Sequence, residues 1–134
     1  MKRRKLPSLR SLQKKADIAF AKYIRNRQDG HQGISSIDGL WCHCVTCKAF
    51  VLRSETDCGH FWKRQYLGTR YDERNCARQC RKCNRFQGGR QAEFAAYIIK
   101  TYGPEVFDEM ERKHREIIKP TREWYQAVID KYSS

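Results

Sequence analysis

The stretch DCGHFWKRQYLGTRYDERNCARQCRKCNRFQGG, residues 57–89, carries four of the chain's seven cysteines and one of its four histidines among a dense run of arginine and lysine. Its last cysteine pair, CRKC (Cys80, Cys83), has a matching partner upstream in CVTC (Cys44, Cys47). Two C-x-x-C turns present four thiols that can close tetrahedrally on zinc, an ion that favours sulfur and brings no redox chemistry. The reading is a structural Zn²⁺ held by Cys44, Cys47, Cys80 and Cys83, with residues 48–79 inserted between the two turns. That insertion is longer than in a simple zinc ribbon. Cys42, His43, Cys58 and Cys76 compete as ligands in principle, and the CHC at 42–44 makes the competition concrete. Two matched turns give the more symmetric, less strained cage, which leaves Cys42, Cys58 and Cys76 as small buried hydrophobes.

Upstream of the cysteines, Leu9, Leu12, Ala16, Ala19, Phe20 and Tyr23 recur at spacings of three and four. This predicts an amphipathic helix over residues 8–27, with Ser8 as N-cap and QDGHQG as its stop. Residues 30–39 read as a loop, and residues 49–53 and 57–61 as a small hairpin. Beyond Gly89 the helical period returns in three stripes. Phe94, Tyr97, Ile98 and Tyr102 form the first, ended by Gly103. Val106, Phe107, Met110, His114 and Ile117 or Ile118 form the second, opened by Pro104. Trp124, Val128, Ile129 and Tyr132 form the third, after Pro120.

With 134 residues the chain is read as one domain: a basic tail and helix (1–28), a zinc-bound core (42–90) and a helical portion (91–134). A core of this size gains from a metal staple. The net charge of +13 is unevenly spread, with ten basic side chains against one acidic in residues 1–28 and nine against two in 60–90. Two basic blocks around a near-neutral remainder are the footprint of a surface that neutralises phosphates, and an evenly solvated surface fits the clustering poorly. The backbone clamps expected are Lys2, Arg3, Arg4 and Lys5 in the first block. In the second they are Lys63, Arg64, Arg70, Arg78, Arg81, Lys82, Arg85 and Arg90. No apolar run approaches membrane-spanning length, and no secretory signal develops after the basic start, so a reducing, cytoplasmic setting is expected.

Between and just after the cysteine pairs come Asp57, His60, Asn75 and Asn84. This order, C-x-x-C, then an acid and a histidine, then an asparagine, then C-x-x-C-N, resembles the zinc-stapled branch of the HNH, or ββα-metal, endonucleases. More narrowly, YIRNR, CVTC, DCGHF, RYDERN, QCRKCN and YGPEVFDEME look like the NinG/Rap recombination endonucleases of lambdoid phages, over roughly residues 15–130. The resemblance implies a mostly α, α+β fold: a zinc-stapled ββα-metal core flanked by the long N-terminal helix and C-terminal helices. It implies metal-dependent cleavage of branched DNA such as D-loops and Holliday junctions.

Beside the resemblance stands the chemistry. Phosphodiester hydrolysis needs an activated water in line with the leaving oxygen and stabilisation of the charge that develops. A neutral imidazole takes the water's proton near pH 7, which assigns His60 as general base. A hard cation, Mg²⁺ or Mn²⁺, takes oxygen ligands, which assigns Asp57 and Asn84. Asn75, the family's central asparagine, is assigned to bracing the loop that aims His60. In many HNH enzymes the acid directly precedes the histidine, whereas here Gly59 does, so Asp72 and Glu73 stand as alternatives to Asp57. Phe61, Trp62 and Tyr66 are open to two readings, stacking on an unpaired base or packing in the core. The rival functions are an HNH nickase without structure preference and a non-catalytic zinc module that binds DNA. Two incisions at a four-way branch call for two centres, which makes a homodimer the expected arrangement.

Overall fold

In the computed structural model, which describes residues 5–27 and 39–133, Ser8 opens helix α1 (Leu9–Asn26) by accepting a hydrogen bond from the Ser11 amide at 3.0 Å. Of the predicted apolar stripe Leu12, Ala16 and Phe20 are inside and are joined there by Ile24, whereas Leu9 and Tyr23 lie on its exposed margin. Lys2, Arg3, Arg4 and the loop at 30–38, with His31, lie outside the described residues.

Two short antiparallel sheets follow. Strand β1 (Trp41–His43) pairs with β2 (Phe50–Leu52), and β3 (Thr56–His60) pairs with β4 (Cys76–Cys80). The expected hairpin of 49–53 with 57–61 is therefore corrected. The CVTC turn folds residues 50–52 back onto 41–43, closed by the Cys44 amide on the Ala49 carbonyl at 2.9 Å. A single helical turn at Arg53–Glu55 then redirects the chain, so β3 finds its partner in β4. All five residues of β4 are buried, as expected of a strand covered on both faces. Between β3 and β4 lie a short helix α2 (Leu67–Arg70) and a turn at Glu73–Asn75. A wide helical turn, Lys82–Phe86, comes directly after β4.

Three helices complete the chain: α3 (Gln91–Tyr102), α4 (Pro104–Lys113) and α5 (Arg122–Tyr132). Gly103, at φ +95°, ends α3 in a conformation that disfavours a side chain, and Pro104 starts α4 where its missing N–H costs nothing. Thr121 caps α5 by accepting from the Trp124 amide. The second stripe stops earlier than its sequence suggests: α4 ends at Lys113 and Ile117 is fully exposed. His114 is taken out of the helical run by stacking flat on Trp62, ring centroids 3.7 Å apart, and by bonding the Glu111 carbonyl.

The core has two parts. Phe94, Tyr97, Ile98 and Met110 of α3 and α4 pack on Val45 and on Ala77 of β4, with Phe61, Trp62 and Phe107 at the edge. On the other side α1 lies against α5 and against the β3–β4 sheet, with Phe20 and Ile24 meeting Cys76 and Tyr132. Phe61 and Trp62 thus belong to the packing, and Tyr66 sits edge-on to Trp62 and His114. The result is a mixed fold of helices around two small sheets. Among the described residues no helix is long and apolar enough to cross a membrane.

Candidate functional site

The thiols of Cys44, Cys47, Cys80 and Cys83 lie within 4.8 Å of one another, three of them buried and Cys47 exposed. Each pair is shaped by its backbone. In the first, the Lys48 amide returns to the Cys44 carbonyl at 3.0 Å and Lys48 takes a left-handed φ of +65°. In the second, Cys80 ends β4 and the amide of Cys83 points back at its sulfur at 3.5 Å. The Cys47 and Cys80 sulfurs are 3.7 Å apart, close to the ~3.8 Å between sulfurs at 2.3 Å from a tetrahedral zinc. Burial alone would raise the Cys44 thiol, but backbone and Thr46 hydrogen bonds outweigh it and bring it down to about 6. A thiolate-ready sulfur among three converging ones is a donor set that fits a zinc ion. His43 is outside this group, its ring 5.0 Å from that of Phe50.

A second feature opens beside it, a cleft of about 550 Å³ between α1 and β3. Asp57 and His60 of β3 and Asn84 of the helical turn all line it. Asn84 Nδ2 donates to Asp57 Oδ2 at 3.0 Å, which leaves the Asn84 carbonyl oxygen as the group able to meet a cation. Arg85 grips both Asp57 oxygens at 2.9 Å. Burial would raise the Asp57 carboxyl, but Arg85 and Asn84 hold it below the ordinary carboxylate range. The structure also explains why the acid stands three places before His60. A Cβ on Gly59 would sit 2.0 Å from the Gln79 side chain, whose amide is itself held by Thr46 and the Gly89 carbonyl. Asp57 is the next position on that strand face. Asp72 and Glu73 do not line this cleft. Asp72 is held by Arg74 and Lys113, and Glu73 accepts from the Tyr23 and Tyr132 hydroxyls.

His60 is fixed from behind. Its Nε2 lies 3.0 Å from the Arg70 carbonyl, and with the proton on Nε2 the lone pair is left on Nδ1. Burial drives the ring's pKa down to about 4, against the pull of the Arg70 and Cys58 carbonyls. Asn75, fully buried, ties the ends of the intervening loop together. It accepts from the Trp62 amide at 2.8 Å and donates to the Trp62 and Thr69 carbonyls at 3.0 and 3.1 Å.

Arg70 is anchored in turn by Asp17 of α1, which takes its guanidinium at 3.0 and 2.6 Å and also accepts from the Tyr71 hydroxyl at 2.7 Å. Asp17 lines the cleft as well. Sequence reasoning did not assign it, although it is the single acid among the ten basic residues of 1–28, and that isolation was the available signal.

Two of the expected phosphate clamps are corrected. Arg70 is buried in the pairing just described and also donates to the Arg64 carbonyl. Arg78, 0% exposed, donates to the carbonyls of Arg25 and Arg27 where α1 ends. The negative end of the helix dipole, together with carbonyls that have no partner inside the helix, makes that burial tolerable for a cation. Lys5, Lys63, Arg64, Arg81, Lys82 and Arg85 are exposed, and Lys63, Arg64 and Arg85 line the cleft. Arg90 is half-buried beside Glu93 at 3.9 Å.

The family model described as Bacteriophage Lambda NinG protein matches residues 1–134. Two proteins called Protein ninG, from Escherichia phage 933W and Enterobacteria phage VT2-Sa, are each 31% identical over 72 residues, 53% of this chain and 35% of theirs. The chain's likeness to them thus spans 35% of their length, and no solved structure matches. Since the match takes in the cysteine cluster, the cleft and every helix that frames them, the chain belongs to the bacteriophage lambda NinG family.

Proposed function

We propose that the protein is a metal-dependent DNA endonuclease acting on branched recombination intermediates, with β3, β4 and the Lys82–Phe86 turn as a ββα-metal core. The observation that carries this reading is the convergence of Asp57, His60 and Asn84 on one cleft whose rim bears Lys63, Arg64 and Arg85. A plain zinc staple needs none of the three.

In this reading Lys63 and Arg64 hold the phosphate backbone, and Arg85 exchanges its grip on Asp57 for a phosphate oxygen. Asp57 and Asn84 would hold Mg²⁺ or Mn²⁺, which supplies charge neutralisation at the phosphate and at the departing 3′ oxygen. His60, held by the Arg70 carbonyl, takes the proton of the attacking water on Nδ1. The products are a 5′ phosphate and a 3′ hydroxyl. A pKa near 4 keeps the ring neutral at pH 7, and an entering phosphate raises its basicity by adding negative charge nearby. The kcat/KM for cleavage is therefore expected to stay flat from about pH 8 to pH 6, because the free enzyme's base is already deprotonated there.

The test is a cleavage assay on linear duplex, single strand, D-loop and four-way junction, with Mg²⁺, Mn²⁺ and EDTA. His60→Ala is expected to lower the rate roughly 10²- to 10⁴-fold with zinc content and DNA affinity nearly unchanged. Wild-type cleavage by His60→Ala would remove His60 as the base and with it the ββα-metal assignment, while a wild type that cleaves none of the substrates would leave a zinc module that binds DNA. Equal cleavage of all four substrates would leave a nickase without structure preference. For a homodimer the apolar stripe of α1 is no argument, since it is spent on α5 and the sheet within one chain. What supports two chains is the need for two incisions, and light scattering on junction DNA tests it.

A further inference from the structure

Cys58 and His60 on β3 point to the same face, and Cys76 on β4 stands directly across from His60. The two sulfurs and a ring nitrogen lie within 4.8 Å of one another. That limit takes in the ~3.8 Å spacing of sulfur ligands around a tetrahedral zinc, and side-chain torsions can supply any remaining closure. Neither thiol has a part in hydrolysis. Cys58 and His60 line the cleft, so an ion has a way in, while Cys76 is fully buried. The contact from His60 Nε2 to the Arg70 carbonyl is the kind of outer bond that orients a metal-binding imidazole, and it leaves Nδ1 for an ion.

We infer that Cys58, His60 and Cys76 form a second, soft-metal site in the wall of the cleft, which takes Zn²⁺ or Cd²⁺ in competition with proton acceptance by His60. Two thiolates and an imidazole select a thiophilic ion. Mg²⁺ and Mn²⁺ prefer the oxygens of Asp57 and Asn84. Three protein ligands leave a fourth position for water, the pattern of an exchangeable site rather than a staple. Hard and soft ions then have opposite effects on one cleft: one assists hydrolysis, the other occupies the lone pair that hydrolysis needs. The inhibitory half of this inference rests on the proposed role of His60; the binding half does not.

The test starts from protein already carrying its cage zinc and adds Cd²⁺, reading sulfur-to-metal charge-transfer absorption and the metal content per chain. Wild type is expected to take up one further ion. Cys58→Ser and His60→Ala should each weaken that uptake by more than ~10-fold, a floor set by what even outer-shell changes cost a metal site, while the cage zinc stays. Cys58 is only partly buried, so this variant stays informative where Cys76→Ser fails to fold. No further uptake by wild type, or equal uptake by Cys58→Ser, overturns the site. In the cleavage assay each protein is compared with itself with and without Zn²⁺ in Mg²⁺ buffer. Inhibition of wild type that Cys58→Ser relieves supports the competition. Uptake without inhibition keeps the site and sinks His60 as the base.

Discussion

The cysteine cage and the histidine cleft are joined through the paired strands β3 and β4, yet they are built on opposite plans. The cage is closed: its four sulfurs face one another, and its shaping contacts come from within the same short turns. The cleft is open and borrowed. Its histidine is aimed by a carbonyl ten residues away, the loop bearing that carbonyl is tied by Asn75, and the loop's arginine is anchored by Asp17 on α1. A closed set of ligands can be lost only as a whole. An open constellation can be detuned one support at a time while the fold survives.

Mutation at each site can break that contrast. The largest effect is expected for Cys80→Ser, since binding of a structural zinc is worth on the order of 10 kcal/mol of folding energy. It should abolish both zinc content and the cooperative melt. A variant that melts like wild type would show that the cage is not what holds this fold. Asn75→Ala leaves the Trp62 amide without its buried acceptor and should cost about 3 kcal/mol. Cleavage should fall by ~10²-fold through misplacement of His60, with the metal requirement unmoved. A loss of stability with full activity would separate Asn75 from the aiming of His60.

Arg78→Ala and Arg81→Ala, three residues apart, sharpen the comparison further. The first removes a buried cation from the end of α1 and should cost about 3 kcal/mol. Asp72→Asn comes next. Burial would raise the Asp72 carboxyl, but Arg74 and Lys113 overcome this and hold it at about 2. The folded state therefore favours the ionised form, a contribution of about 2 kcal/mol that is present above about pH 4 and lost as the pH falls towards 2. Acid titration of stability should show that slope in wild type and not in Asp72→Asn. Because Asp72 lies outside the cleft, the variant's Mg²⁺ dependence at neutral pH should match wild type. The smallest effect on melting is Arg81→Ala, with no measurable change. On the proposed DNA reading it weakens binding to all substrates alike and lowers the salt slope by about 0.9.

These differences follow how far each contact reaches along the chain. The cage was legible because C-x-x-C is a local pattern whose geometry is fixed by a single turn. The helices were legible because their apolar period and their boundary residues, Ser8, Gly103 and Pro104, lie within a few residues of what they control. Strand pairing was not legible. Residues 49–53 and 57–61 are adjacent and strand-like, and only the redirecting turn at 53–55 and the distant β4 decide against joining them. Nor does charge reveal its own use: Arg78 and Arg81 look alike in RQCRKC, and a strand covered on both faces buries the one while the turn after β4 exposes the other. Gly59 was read as a departure from a pattern, whereas its cause is the Gln79 side chain in the neighbouring strand.

Strand β4 carries a further consequence. Its pairing with β3 sets His60 opposite Cys76 and Thr56 opposite Cys80, so a single integer, the register of one ladder, fixes the phase of both sites. Side chains alternate with a period of two, and a slip of one residue would swing Cys80 away from its three partners and turn Gln79 toward them. A zinc ion held by the cage would therefore act as a parity check on the sheet. Only the correct alignment would complete its tetrahedron, and any chain that passed that check would present the cleft in phase as well.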